Sequence, residues 1–205
     1  MAIKFQYNRT SLGEMDKALK MRRNALPTLK NKESALRLAA ISWKKEAKKK
    51  EEEMEELMRR QEGLSALWNE FPAGAVRVRD VKLRVVKIAG VRCPDVEEVL
   101  FDIAPFNVFQ APSWIPEGIQ ILKEIACTGI IGEVYMEKAA ILEHSRKKTT
   151  QKVNLYEKVQ IPGYEEAIRK IKRFMEDEEN LSKASQKIVK KRHEAAQQHQ
   201  EEEAL

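Results

Sequence analysis

The sequence has 205 residues, of which 34% are charged, 42% hydrophobic and only 6% aromatic. That is too charged for a compact core of this length, while the periodicity along the chain argues against disorder, so an elongated α-rich protein fits best. The net charge of +6 comes from 38 basic against 32 acidic residues, a mixed surface rather than the one-sided basic excess of most nucleic-acid binders.

Residues 1–10 read as a polar lead-in. Thr10 or Ser11 is placed to cap a first helix, with Glu14 three residues beyond Ser11 in the capping-box arrangement. Steps of three and four from Leu19 to Trp68 then meet an apolar residue at eleven of fifteen positions, among them Leu26, Leu29, Leu36, Ala40, Trp43, Ala47, Met54 and Leu64. A spacing that averages 3.5 residues keeps a narrow seam on one side of a helix, which suits a partner helix better than a broad core. Arg22, Glu33, Lys50 and Gln61 are the polar exceptions, residues of the kind that fix register at some cost in stability. Trp43 and Trp68 stand on the seam as core residues. The block from Lys44 to Glu56 reads as a solvated face. Pro27 predicts a kink or a restart, because proline removes one helical bond and crowds the preceding turn.

Phe71-Pro72-Ala73-Gly74 ends the first helix, which is thereby placed at 11–69. From Val76 the period changes. Val76, Val78, Val81, Leu83 and Val85 alternate with Arg77, Arg79, Lys82, Arg84 and Lys87, as in a strand. Gly90 to Asp95 reads as the turn and Val99 to Ile103 as the return strand. A lone hairpin is marginal and has to lean on the helices or on another protein. Pro105, Phe106, Phe109, Pro112, Trp114 and Pro116 mark an extended connection, so that 70–116 forms a hairpin-and-connection region.

A second helix is expected over 117–196, strained by Gly129 and Gly132, with 197–205 as a frayed tail. Its seam runs through Val153, Tyr156, Tyr164, Ile168, Ile171, Met175, Leu181 and Ile188. The fold class is therefore mainly α: a long antiparallel two-helix coiled coil with a small β-hairpin insert. Folding the helices back on each other puts levels where residue numbers sum to about 188, with Leu36 beside Lys152 and Val153, Leu64 beside Lys123 and Glu124, and Pro27 beside Pro162.

Chemistry is not visible. There is no Gly-rich Lys-Ser/Thr phosphate loop and no Gly-x-Gly-x-x-Gly after a strand. His144, His193 and His199 lack zinc-ligand spacing, and Cys93 and Cys127 match no metal or redox pattern, reading instead as reduced thiols of a cytosolic protein. No catalytic, cofactor-binding or metal-ligating residue is assigned. Neither a secretory leader nor the ~18 apolar residues of a membrane span are apparent.

Three segments carry a resemblance. Thr149-Thr150-Gln151-Lys152-Val153-Asn154-Leu155-Tyr156-Glu157-Lys158-Val159-Gln160-Ile161-Pro162 resembles the Thr-x-x-(Arg/Lys)-Val-Asn-Ala-Leu-Glu-x-x-x-Ile-Pro motif of the D subunit of V-type and A-type ATPases. The likeness continues through Glu165, Glu166, Ile168, Ile171 and the acidic segment 176–179. Gly90-Val-Arg-Cys-Pro94 is similar to that family's turn, and the region from Leu26 to Lys32 to its opening helix. Leu155-Tyr156 in place of Ala-Leu, Gly163 in place of Arg, and Pro27 are departures that fit a divergent bacterial branch.

The resemblance implies a non-catalytic central-stalk rotor subunit, a shaft without cofactors. The paired helix ends would enter the hexamer of the A and B subunits, the hairpin would bind the F subunit, and the opposite end would rest on the C/d subunit above the membrane ring, where protons or sodium ions pass. It would be cytoplasmic and peripheral to the inner membrane, reaching the membrane only through the complex, with no direct nucleic acid. The alternative left open by the residues is a coiled-coil binding arm for nucleic acid or a protein client, suggested by the basic strand from Arg77 to Lys87.

Overall fold

The computed structural model describes residues 3–105 and 111–203, with the backbone alone for Ser65 and 194–203. The chain is mainly α, with one two-stranded antiparallel sheet. It divides into two compact units, residues 1–29 with 151–205, and residues 30–150. Helix α1 spans Arg9–Gln61 and contributes to both; a 3-10 turn at Glu62–Leu64 and the short helix α2, Ser65–Trp68, follow it. Strands β1 (Val76–Ile88) and β2 (Val91–Ile103) form the hairpin. Helix α3, Ile115–Leu155, passes through a π-helical turn at Tyr156–Gln160 into α4, Ile161–Glu203. Phe106 and Phe109 of the expected connection lie outside the described residues.

The start of α1 differs from the expected cap. Asn8 accepts the Ser11 backbone N–H at 2.7 Å, so asparagine is the N-cap, and the Ser11 hydroxyl instead accepts the Gln6 N–H at 3.2 Å. Asn8 thus satisfies an N–H that the helix start leaves free, as well as serine would, while Ser11 ties down the lead-in ahead of the helix. Pro27 does not interrupt α1. It lies on the exposed face, so the helical bond it removes is lost beside solvent rather than in the seam.

In the 30–150 unit, α1 and α3 run antiparallel: Glu33 meets Arg146, Trp43 meets Tyr135, and Trp68 meets Trp114. Leu36, fully buried, packs with Ala40, Cys93 and Leu142, under Ile88 and Val91 of the hairpin. The expected register is therefore corrected. Leu36 lies at the level of Leu142, not of Lys152 and Val153, because the helices already face each other at Trp68 and Trp114, about six residues short of the expected level. Gly129 and Gly132 serve close approach rather than strain. A Cβ on Gly129 would stand 2.9 Å from the Met54 sulfur, and one on Gly132 would stand 3.5 Å from the Lys50 Cβ.

In the other unit α1 and α4 are also antiparallel, with Arg22 bonded to Gln160 and Tyr7 packed on Phe174. Leu19, Val153, Ala167, Ile168 and Ile171 are buried there. Pro162 lies level with Arg22 and Arg23, about one turn from Pro27 rather than beside it. The π-helical turn sits just ahead of Pro162. Proline has no N–H to give and its ring crowds the carbonyl four residues earlier, so a wider turn there relieves both problems.

The hairpin turn is Ala89-Gly90, not Gly90 to Asp95. Ile88 pairs with Val91 across a two-residue loop whose residues both have positive φ, +47° at Ala89 and +78° at Gly90. Pro94 is a strand residue, paired with Val85. A two-stranded ribbon leaves half its N–H groups unpaired at the outer edges, which tolerates proline. Two register shifts, between Val78 and Asp80 and between Lys82 and Leu83, add twist. Alanine is a poor occupant of a left-handed turn position, and Asn-Gly is the preferred pair. Ala89→Asn is accordingly expected to stabilise the hairpin by up to about 1 kcal/mol, read as a higher thermal midpoint.

Candidate interaction sites on the helices and hairpin

The inner face of the hairpin is built by alternation. Val91, Cys93 and Asp95 lie two apart on β2 and so share one side, with Ile88, Val86 and Arg84 opposite them on β1. Cys93 fills the apolar cluster, and burial raises its thiol pKa despite the nearby Lys138 charge. Asp95 meets the Lys138 ammonium at 2.7 Å and the Arg84 guanidinium at 2.7 Å. Burial alone would raise the Asp95 pKa, but hydrogen bonds from Lys138 and Arg84 outweigh it and hold the carboxyl below its ordinary range. Lys138 is 1% exposed, and its Nζ lies 3.8 Å from the Trp43 ring centre and 4.9 Å from that of Tyr135. Such a cation over aromatic faces is worth most when it is removed from water.

Three of the five cations of the basic stripe on β1 are paired across the ribbon. Arg84 pairs with Asp95, Lys82 with Glu98 at 2.7 Å, and Arg79 with Asp102 at 3.7 Å. These three cations are engaged by carboxylates one strand away, which weakens the case for a nucleic-acid arm. What the hairpin does present outward is apolar: Val85 is 70% exposed opposite Pro94, and Leu83 is 51% exposed opposite Val96.

The four polar seam positions have different fates. Arg22 donates to Gln160 at 2.6 Å and lies 4.5 Å from the Tyr164 ring centre, pinning the end of the π turn. Glu33 accepts from Arg146 at 3.4 Å and Thr150 at 3.3 Å. Lys50 folds back onto Glu53 of its own helix at 2.5 Å. Gln61 buries its Oε1 among Leu64, Trp68, Trp114 and Ile121. The first two are cross-helix braces, and the third lets its stem pack over Gly132.

Three further surfaces stand out. Leu181, Ile188 and Val189 of α4 are more than half exposed. Trp68, Phe71 and Trp114 form an aromatic trio with ring centres 5.3–5.7 Å apart, where α1, α2 and α3 come together. Between α1 and α3, hollows of about 260 Å³ and 440 Å³ are lined by small and apolar groups including Ala40, Ile41, Ala47, Gly132 and Met136. Among the described residues, no helix is long and apolar enough to cross a membrane.

Comparison with known families places the chain. The family model of the ATP synthase D subunit matches residues 11–191. The chain belongs to that family. A protein described as the D subunit of a V-type ATP synthase from Borreliella burgdorferi is 27% identical over 189 residues, 91% of this chain and 94% of its own length. Its counterpart in Chlamydia felis is 27% identical over 172 residues, covering 82% and 83%. That of Chlamydia muridarum is 32% identical over 117 residues, 57% and 56%. The chain is thus a divergent bacterial member of the D-subunit family. The two family motifs now have structural meanings. The one ending in Ile161-Pro162 encodes the last turns of α3 and the π turn, and Gly90 to Pro94 encodes the hairpin turn and the buried Cys93.

Sequence reasoning missed Lys138 and Asp95. A signal existed: continuing the second seam backward from Val153 by fours and threes reaches Thr149, Leu142 and Lys138, all buried.

Proposed function

We propose that this chain is the non-catalytic rotor of a V-type ATPase, passing torque between a hexamer of A and B subunits and an ion-translocating membrane ring. Membership of the D-subunit family over residues 11–191 carries the reading. Physics supports it. Helices braced by seam packing and by cross-helix bonds such as Arg22–Gln160 resist twisting. The exposed apolar groups of α4 beyond Leu181 suit entry into the hexamer, the outward Leu83 and Val85 suit the F subunit, and the Trp68–Phe71–Trp114 end suits the C/d subunit. The shaft would act on the nucleotide sites only by contacting their conformations unequally as it turns. The protein would be peripheral to the membrane through its complex.

The test is co-purification of the full chain with the A, B and F subunits. The native chain is expected to recover all three and, alone, to hydrolyse no ATP. Leu83→Lys with Val85→Lys, both exposed, is expected to lose the F subunit by at least tenfold in affinity while keeping A and B. Retention of the F subunit moves its site off the hairpin, the hollows beside Ile41 and Met136 being next in line. Failure to recover A and B ends the rotor reading.

A further inference from the structure

We propose that Lys138 is a positioning residue: its buried ammonium, seated between Asp95 and the rings of Trp43 and Tyr135, is the latch that fixes the hairpin in one orientation on α1 and α3. The apolar contacts alone do not specify that orientation. The hairpin strands are Val-rich, carry two register shifts, and touch the helices mainly through Ile88, Val91 and Cys93. A slip by two residues that brought Val91 to the place of Cys93 and Ile88 to that of Val86 would still leave aliphatic groups on the cluster. It would not keep a carboxylate on Lys138. Asp95 is the strand residue that meets this ammonium, at 2.7 Å, while its second oxygen takes Arg84 of the neighbouring strand. The three groups therefore tie α3 to both strands at once. A buried ammonium is costly unless paired, so any other hairpin placement strands a charge at a site only 1% exposed. Lysine suits the slot because its flexible stem delivers a compact charge against the Trp43 face.

The latch has a functional meaning that rests on the proposed reading: holding the inner face down presents Leu83 and Val85 outward to the partner. The experiment compares Lys138→Met, Lys138→Arg and Asp95→Asn in the full chain by amide hydrogen exchange and by affinity for the recombinant F subunit. Lys138→Met and Asp95→Asn are expected to speed exchange at Val91 to Val96 at least tenfold while the helix amides around Gly129 and Ile171 stay protected. Lys138→Arg, which keeps the charge, is expected to retain protection within about threefold. Native protection of the hairpin in both Lys138→Met and Asp95→Asn overturns the latch and leaves the functional reading intact. So does exchange that rises equally in hairpin and helices, since Lys138 would then be a general core residue. A loosened hairpin with unchanged affinity for the F subunit keeps the latch and removes that partner from the hairpin.

Discussion

Replacing Ile168 and Ile171 together by asparagine is expected to separate α4 from α1 in the unit formed by residues 1–29 and 151–205. Ile171 is fully buried and Ile168 is 8% exposed. Truncating a buried isoleucine costs about 2–5 kcal/mol, and an unpartnered buried amide adds about 1–3 kcal/mol at each site. The combined loss is of the order of the whole stability of a typical domain, about 5–15 kcal/mol. Circular dichroism should show a lost or strongly lowered melting transition. Leu181→Asn, at a position 70% exposed, serves as the control and should melt like the native chain. An unchanged midpoint in the double variant would mean that α4 does not depend on this seam.

Leu36→Ala is expected to destabilise the other unit by about 2–5 kcal/mol. Leu36 is fully buried where the two helices meet the hairpin, against Ala40, Cys93 and Leu142. The hairpin should report the damage as well, through faster amide exchange at Ile88 and Val91, which cover the cluster. A change below about 0.5 kcal/mol would show that this cluster is not the core of the unit.

Much of the architecture was written in periodicity. Leu36, Ala40 and Ala47 of the first seam and Val153, Ile168 and Ile171 of the second are buried, because spacing sets which side of a helix can face a partner, whereas Leu181 and Ile188, on the same second seam, are exposed. Axial alignment was not legible. It depends on where the chain turns around between the helices, and Trp68 already faces Trp114. The hairpin turn was misplaced because Gly90, Pro94 and Asp95 looked like one loop. In the ribbon only Ala89-Gly90 turns, while Pro94 and Asp95 continue as strand. The surfaces toward partners were the least legible from residues alone. The stripe from Arg77 to Lys87 looked like a polyanion site until the pairing of Arg79, Lys82 and Arg84 with Asp102, Glu98 and Asp95 was seen, and Lys138 drew no notice among ordinary helix residues.

The wide turn at Tyr156–Gln160 also explains a gap in the second seam, where Tyr156 is followed by Tyr164, eight positions on instead of seven. One surplus residue in an ordinary helix would rotate everything downstream by about 100° and carry Ile168 and Ile171 out to solvent. Here the odd residue is swallowed on the spot, so both isoleucines keep their aim at α1. Loss of a single residue inside this stretch should therefore be forgiven, whereas the same loss a few turns away on either side would misalign the rest of the chain.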